Sequence, residues 1–149
     1  MLNISLNVVR NIENTLCDQY VESGGVLGAR LLRNEPICVT EYYFDRTGIG
    51  SDHHYSPNTA QINNLLVNEW FPRGIFMVGI VHSHVNGVLV PSCGDLAYSE
   101  RILKQLRYVD NFHLPIVTFF RGTFEIQSYE ISLGNNSFNC NLEEISILP

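Results

Sequence analysis

A seven-residue apolar run, Ile75-Phe76-Met77-Val78-Gly79-Ile80-Val81, leads without a break into His82-Ser83-His84. No other stretch of the chain limits its fold so tightly. A run of this kind reads as a buried strand, a rigid carrier for whatever follows it. His82 and His84 stand at i and i+2, so on a strand both imidazoles project from one face and Ser83 points away. After His84 come seven intervening residues, then Ser92, and three later Asp95. Neutral imidazole and carboxylate are zinc ligands, and a catalytic zinc keeps three protein ligands and a fourth position for water. Each half of the pattern also has a plainer explanation. A His-x-His pair alone is weak evidence of metal. Ser92-x-x-Asp95 before an apolar periodic segment is a capping box, with Ser92 at the N-cap and Asp95 at the third helical position. The two readings of Ser92 and Asp95 are compatible, because a helix start can carry a cap and a ligand together. Cys93 competes with Asp95 as a ligand, although its place directly after Ser92 suits a small helix-start residue.

Around this stretch, helical and strand patterns interleave. Leu2, Ile4 and Leu6 alternate with polar residues as in a short strand, and Val9, Ile12, Leu16 and Tyr20 then fall at helical spacing, predicting a helix over residues 8–19. Val26 to Leu32 and Ile37 to Phe44 read as strands separated by the Arg33-Asn34-Glu35-Pro36 turn. Asp45 to Asp52 reads as a loop, and Ser56-Pro57 as a helix start with Ser56 as cap and Pro57 at the first helical position. That helix ends at Pro72-Arg73-Gly74. Beyond Asp95, Leu96, Ile102, Leu103 and Leu106 predict a helix to about Tyr108. Leu114–Arg121 and Thr123–Leu133 predict a hairpin, Gly134–Asn141 a loop, and Ile145–Leu148 an edge strand. The whole implies an α/β fold, one domain over residues 1–149 with a central mixed β-sheet flanked by helices.

Composition narrows the function classes. With 149 residues, 45% of them hydrophobic, the chain has material for one ordinary core. Its net charge of −6 and lack of any Lys/Arg cluster disfavour nucleic acid as a partner. The first six residues lack a basic region and a cleavage site, so no signal peptide is expected. No apolar run is long enough to span a bilayer, so no membrane partner is expected either. Cys17, Cys38, Cys93 and Cys140 form no C-x-x-C pair, which fits reduced thiols in a cytoplasmic protein.

Taken together, the residues resemble the JAMM (Mov34/MPN/JAB) zinc metalloproteases. That family's signature is an upstream glutamate, then His-Ser-His or His-Thr-His, seven residues, and Ser-x-x-Asp. Here Glu22 lies within Glu-Ser-Gly-Gly-Val-Leu-Gly, and Gly79-Ile80-Val81-His82-Ser83-His84 is followed at the expected distances by Ser92 and Asp95. The resemblance covers about residues 8 to 120. Val85 departs from it, since most members have proline there, but no ligand is lost. The resemblance implies a single MPN-type domain with a cytidine-deaminase-like fold, closer in length to bacterial and archaeal members than to large eukaryotic complex subunits. It implies one zinc ion held by His82, His84 and Asp95, with the pKa of water in the fourth position lowered to about 7. Glu22 would take that water's proton and pass it to the leaving amine. Ser92 would donate its hydroxyl to the developing oxyanion. Gly24 and Gly25 would let backbone and substrate approach closely.

The function so implied is a zinc isopeptidase, deubiquitinase-like, cutting the amide after the C-terminal glycines of ubiquitin or a ubiquitin-like protein. Such enzymes either remove it from conjugates or process its precursor. In bacteria they occur beside E1- and E2-like ligase proteins, including in antiphage defence. Two other readings stand beside it: a zinc peptidase of another amide, such as one in phage tails or peptidoglycan, and a non-catalytic MPN scaffold. The apolar residues Val88, Leu89 and Val90 form a candidate rim for an extended peptide, or else pack onto the following helix. His53 and His54 could place one ring near the site, and His113 reads as a loop residue.

Overall fold

The computed structural model describes residues 1–149. Eight strands form one mixed sheet: β1 (Leu2–Ser5), β2 (Gly24–Arg30), β3 (Cys38–Phe44), β6 (Ile75–Ser83), β7 (Asn111–Thr118), β8 (Glu125–Leu133), β9 (Phe138–Glu143) and β10 (Ile145–Leu148). Between β3 and β6 a small hairpin, β4 (Ile49–Gly50) and β5 (Tyr55–Ser56), pairs only with itself. The order across the large sheet is β10-β1-β3-β2-β6-β7-β8-β9. Its two edges, β9 and β10, are separated in sequence by Glu144 alone, so the sheet curls back on itself into a nearly closed, barrel-like surface. Three helices complete the fold: α1 (Leu6–Leu16), α2 (Thr59–Leu65) and α3 (Cys93–Gln105).

Helix ends follow side-chain caps more than hydrophobic spacing. The Ser5 hydroxyl accepts the Val8 N–H, so α1 begins two residues before the expected residue 8 and stops at Leu16. The expected Ser56 cap is a correction: Ser56 lies in β5, and Asn58 caps α2 by accepting the Gln61 N–H at 3.1 Å. After Leu65 the helix widens into a π turn over Leu66–Trp70 and tightens over Phe71–Arg73. Gly74, at φ 72°, then ends it in the left-handed conformation that glycine adopts without strain. Helix α3 stops at Gln105, short of Tyr108, because Leu106 is already extended.

The expected asparagine-rich loop, Gly134–Asn141, takes in the first four residues of β9, which pairs with β8 from Leu133–Phe138 to Ser128–Glu143. Its side chains are mostly exposed, so the backbone ladder defines it and no buried alternation announces it. His113, expected in a loop, is buried inside β7.

A bulge in β6 sets up the site. Leu27 pairs with Gly79 but Gly28 with Met77, which leaves Val78 unpaired. The extra residue resets the alternation. Met77 and Ile80 consequently share a face and pack with Val26, Leu65, Trp70, Leu103, Phe112 and Leu114 under α2 and α3. Val78 and Val81 pack on the opposite face with Ile12, Leu16 and Leu27 under α1. From Ile80 onward the period is regular, so His82 and His84 emerge on the α3 side.

Candidate metal centre

His82 and His84 are both buried, and their Nε2 atoms lie 2.9 Å apart. His82 is still in β6. His84 lies just past its end, where its N–H donates to the Val117 carbonyl of β7 at 2.9 Å and so prolongs the strand register. Asp95 approaches from the first turn of α3, with Oδ1 3.3 Å from His82 Nε2 and Oδ2 3.4 Å from His84 Nε2. Cys93 is exposed and lies outside this group.

Asp95 reaches that position because the capping box holds it there. Its N–H donates to Ser92 Oγ at 3.1 Å, and its Oδ2 accepts the Ser92 N–H at 2.7 Å. Cap and candidate ligand are one carboxylate. Burial opposes its charge, but the two histidine rings hold the Asp95 carboxyl well below the usual carboxylate range. Burial likewise opposes protonation of His84, yet Asp95 and the Val88 carbonyl outweigh it and raise this ring's pKa.

The donor set fits zinc. A carbonyl oxygen can only accept, so His84 Nδ1, 2.7 Å from the Val88 oxygen, carries the hydrogen. In the neutral ring the lone pair is then on Nε2, aimed at His82 and Asp95. Acceptor atoms brought this close repel one another unless protons or a cation lie between them. For zinc–ligand distances of about 2.0–2.1 Å, the edges of a tetrahedron measure roughly 3.4 Å. The observed separations of 2.9, 3.3 and 3.4 Å are close to those edges.

Glu22 lies beside this group and only 5% exposed. Its backbone N–H donates to the Ser51 carbonyl at 2.9 Å, and its own carbonyl presses on Gly50, where any side chain would collide. Hairpin β4–β5 therefore fixes Glu22 from outside. From below, Ser83 fixes the next residue: its Oγ accepts the Ser23 N–H at 3.0 Å, and its N–H donates to the Ser23 carbonyl at 2.8 Å. The serine between the two histidines thus points away from the metal side, as the strand period requires, and clamps the glutamate segment. Spacing alone did not disclose that role. Burial pushes the Glu22 carboxyl above its ordinary value, against the opposing pull of His84 and His82. Gly24 and Gly25 do not face a groove. Both are buried within β2, and a Cβ on Gly24 would lie 2.5 Å from the Val81 oxygen and the Tyr55 ring, so it is neighbouring protein that approaches closely.

Two hollows flank the centre. One, of about 320 Å³, is lined by Glu22, His53, His84, Val88, Val90 and Ser92. Val88 and Val90 are exposed along it, while Leu89 is half-buried and its carbonyl accepts the Tyr129 hydroxyl at 2.9 Å. The other, of about 230 Å³, lies against His82 and Asp95 and includes His54. The exposed pair His53 and His54 therefore straddles the centre, one residue on each side. His113 is remote from it and pairs instead with Glu143.

No protein-family model matches this sequence, and no curated protein matches it. Solved structures do share its fold. A solution structure of a Desulfitobacterium hafniense protein aligns with a TM-score of 0.72 at 19% identity, covering 99% of this chain and 93% of that one. A solution structure from Salinibacter ruber aligns with a TM-score of 0.62, also at 19% identity, over 99% and 92% of the respective chains. Both have the mixed α/β architecture with few helices. No helix of the chain is long and apolar enough to cross a membrane.

Proposed function

We propose that this chain is a zinc-dependent amide hydrolase of the JAMM type, with an MPN-like, cytidine-deaminase-like domain. One observation carries the proposal: two imidazole nitrogens and a carboxylate converge within 4.8 Å, with a buried glutamate beside them that belongs to no cap or ion pair. A structural zinc site is closed by four protein ligands, whereas three ligands and an adjacent base are the plan of a hydrolytic one.

Zinc bound there supplies Lewis acidity, lowering the pKa of water and polarising an amide carbonyl. The protein's residues do the rest. His82, His84 and Asp95 hold the ion. Glu22, buried beside the ligands, takes a proton from water and returns it to the departing amine. Ser92 already accepts the Asp95 N–H on its oxygen, which leaves its own O–H free to donate to oxyanion charge. Val88 and Val90 border the hollow in which Glu22 and Ser92 meet, so an extended substrate lies along them.

The substrate we infer is the amide after the C-terminal glycines of ubiquitin or a ubiquitin-like protein, in a cytoplasmic conjugation pathway with E1- and E2-like partners. A glycine-ended tail suits a centre hemmed in by Val88, Ser92 and hairpin β4–β5. The test compares wild type with His84→Ala. About one zinc per wild-type chain, absent in the variant, together with zinc-dependent cleavage of ubiquitin-like fusions, is the expected result. A chain that takes up no zinc even when supplied with it is not a hydrolase of this type and is better read as a scaffold.

A further inference from the structure

The 230 Å³ cavity on the His82 and Asp95 side has a chemistry of its own. Its floor is apolar, formed by Ile80 and Leu114, and its walls are the rings of Tyr55 and Tyr98. Along α3 the residues bordering it include Gly94, Ala97, Tyr98 and Arg101, one stripe at helical spacing whose first two members are small. The small residues leave the space next to the metal centre open.

Two polar groups in this cavity lack partners. Ser99 is 1% exposed, and its hydroxyl has no hydrogen-bond partner in the protein. Buried hydroxyls without partners are rare, because each forfeits its hydration for nothing. At the solvent edge, Arg101 forms no ion pair, although the chain carries 15 acidic residues against 9 basic ones. Its guanidinium lies over the Tyr98 ring, 5.6 Å from the centroid, and that stacking keeps it at the rim. The neighbouring Lys104 and Glu100 pair with each other at 2.8 Å and leave Arg101 free.

We propose that this cavity is a specificity pocket for one substrate residue near the scissile amide, and that Arg101 selects a carboxylate on that residue. The proposal rests on the hydrolase reading for its link to cleavage, but not for binding itself. Sites that hold whole small molecules run to about 300–1,000 Å³, so a cavity of 230 Å³ takes a single residue. Apolar floor and aromatic walls suit an aliphatic stem. A guanidinium at the rim forks onto a carboxylate at its end, a geometry that lysine does not reproduce. In a peptide substrate that carboxylate is either an acidic side chain or a free α-carboxylate.

The test is binding of labelled short peptides to the full chain carrying Glu22→Gln, with and without zinc, so that turnover does not interfere. One series carries Glu, Gln or Gly at successive positions and has an amidated end; another ends in a free carboxylate. The expected result is at least tenfold tighter binding for one carboxylate source over its uncharged counterpart. That preference should disappear in Arg101→Ala, and Ala97→Trp, at an exposed position lining the cavity, should weaken binding of every peptide. Circular dichroism on both variants separates a blocked pocket from a misfolded chain. Equal binding of Glu and Gln peptides and of free and amidated ends, no binding by any peptide at millimolar concentration, or an unchanged preference in folded Arg101→Ala overturns the proposal. Carboxylate preference in Glu22→Gln, when the wild-type chain takes up no zinc and cleaves no peptide, leaves the pocket standing and removes the hydrolase reading.

Discussion

His84 Nδ1 donates to the Val88 carbonyl across 2.7 Å, and this contact turns the other ring nitrogen toward His82 and Asp95. A turn at Asn86–Gly87 delivers that carbonyl: Asn86 Oδ1 accepts the Val88 N–H at 3.0 Å, and Gly87 sits at φ 77°. Any side chain at position 87 is strained at that φ, and a Cβ there would also meet the Phe120 ring at 3.1 Å. Gly87→Val should therefore displace the Val88 oxygen while leaving all three ligands in place. Outer contacts of this kind typically contribute 10- to 100-fold to metal affinity. Titration against a chromophoric chelator should show zinc affinity reduced by roughly that factor, and an unchanged affinity would remove the Val88 carbonyl from the design of the site.

On the proposed reading Glu22 moves protons, and it stands outside the group of His82, His84 and Asp95 that could hold an ion. Glu22→Gln should keep about one zinc per chain and lower turnover by roughly 100- to 10,000-fold, the usual contribution of a general base. Burial raises the folded pKa of Glu22 above its ordinary 4.5. The same shift has a stability consequence. A raised carboxyl pKa favours the fold below its unfolded value, and that contribution is lost as pH rises through the folded one. Metal-free Glu22→Gln should therefore be more stable than metal-free wild type at neutral pH. Near-wild-type turnover in this variant would end the assignment.

Much of the centre was legible in the sequence because it is local. His82, His84, Ser92 and Asp95 belong to one strand–loop–helix unit, and strand period and capping geometry place them almost by themselves. What spacing could not disclose depends on contacts between distant segments. Ser83 clamps Ser23 across 60 residues, hairpin β4–β5 holds Glu22 through Ser51, and Tyr129 fixes Leu89 from β8. The bulge at Val78 left no mark in the apolar run, since every residue there is hydrophobic or glycine on either register. Strand β9 was hidden for the opposite reason: its ladder is regular, but most of its side chains, the apolar Cys140 and Leu142 among them, are exposed, so no core-facing row marks it. The α/β class followed from interleaved periodicities, whereas the near-closure of the sheet came from pairing between β1 and β10, residues at the two ends of the chain.

Asp95 has two duties that a pair of variants can separate. Asp95→Ala removes both the candidate ligand and the acceptor for the Ser92 N–H. Asp95→Asn keeps an oxygen for that N–H but loses the charge. Both should lose most zinc. Without metal, Asp95→Ala should be the less stable of the two by about 1 kcal/mol, the worth of one helix-start hydrogen bond. Chemical denaturation of the metal-free chains gives the comparison; zinc content equal to wild type in Asp95→Ala would show that another group is the third ligand.

His113 and Glu143 form a buried hydrogen-bonded pair on the sheet, remote from the candidate metal centre, with Nδ1 and Oε1 2.9 Å apart. Glu143 Oε1 also accepts the Ser128 hydroxyl at 2.7 Å, and its Oε2 lies 3.3 Å from the N-terminal ammonium. These contacts tie β9 to β7 and β8 and to the start of the chain. Burial opposes the Glu143 charge, but His113, Ser128 and the N-terminus together hold its pKa below the ordinary 4.5. A depressed carboxyl pKa contributes stability that is complete above the unfolded value and disappears as pH falls through the folded one. Glu143→Gln should cost roughly 1–3 kcal/mol at pH 7, because His113 and Ser128 keep their burial and lose a charged acceptor. The gap between wild type and variant should narrow as pH drops from 4.5 toward the lowered value, since protonated wild-type Glu143 then resembles glutamine. Urea unfolding at pH 7 and at two points below 4.5 measures both effects. A gap that stays constant across this range would mean that the pair is held by packing and not by charge.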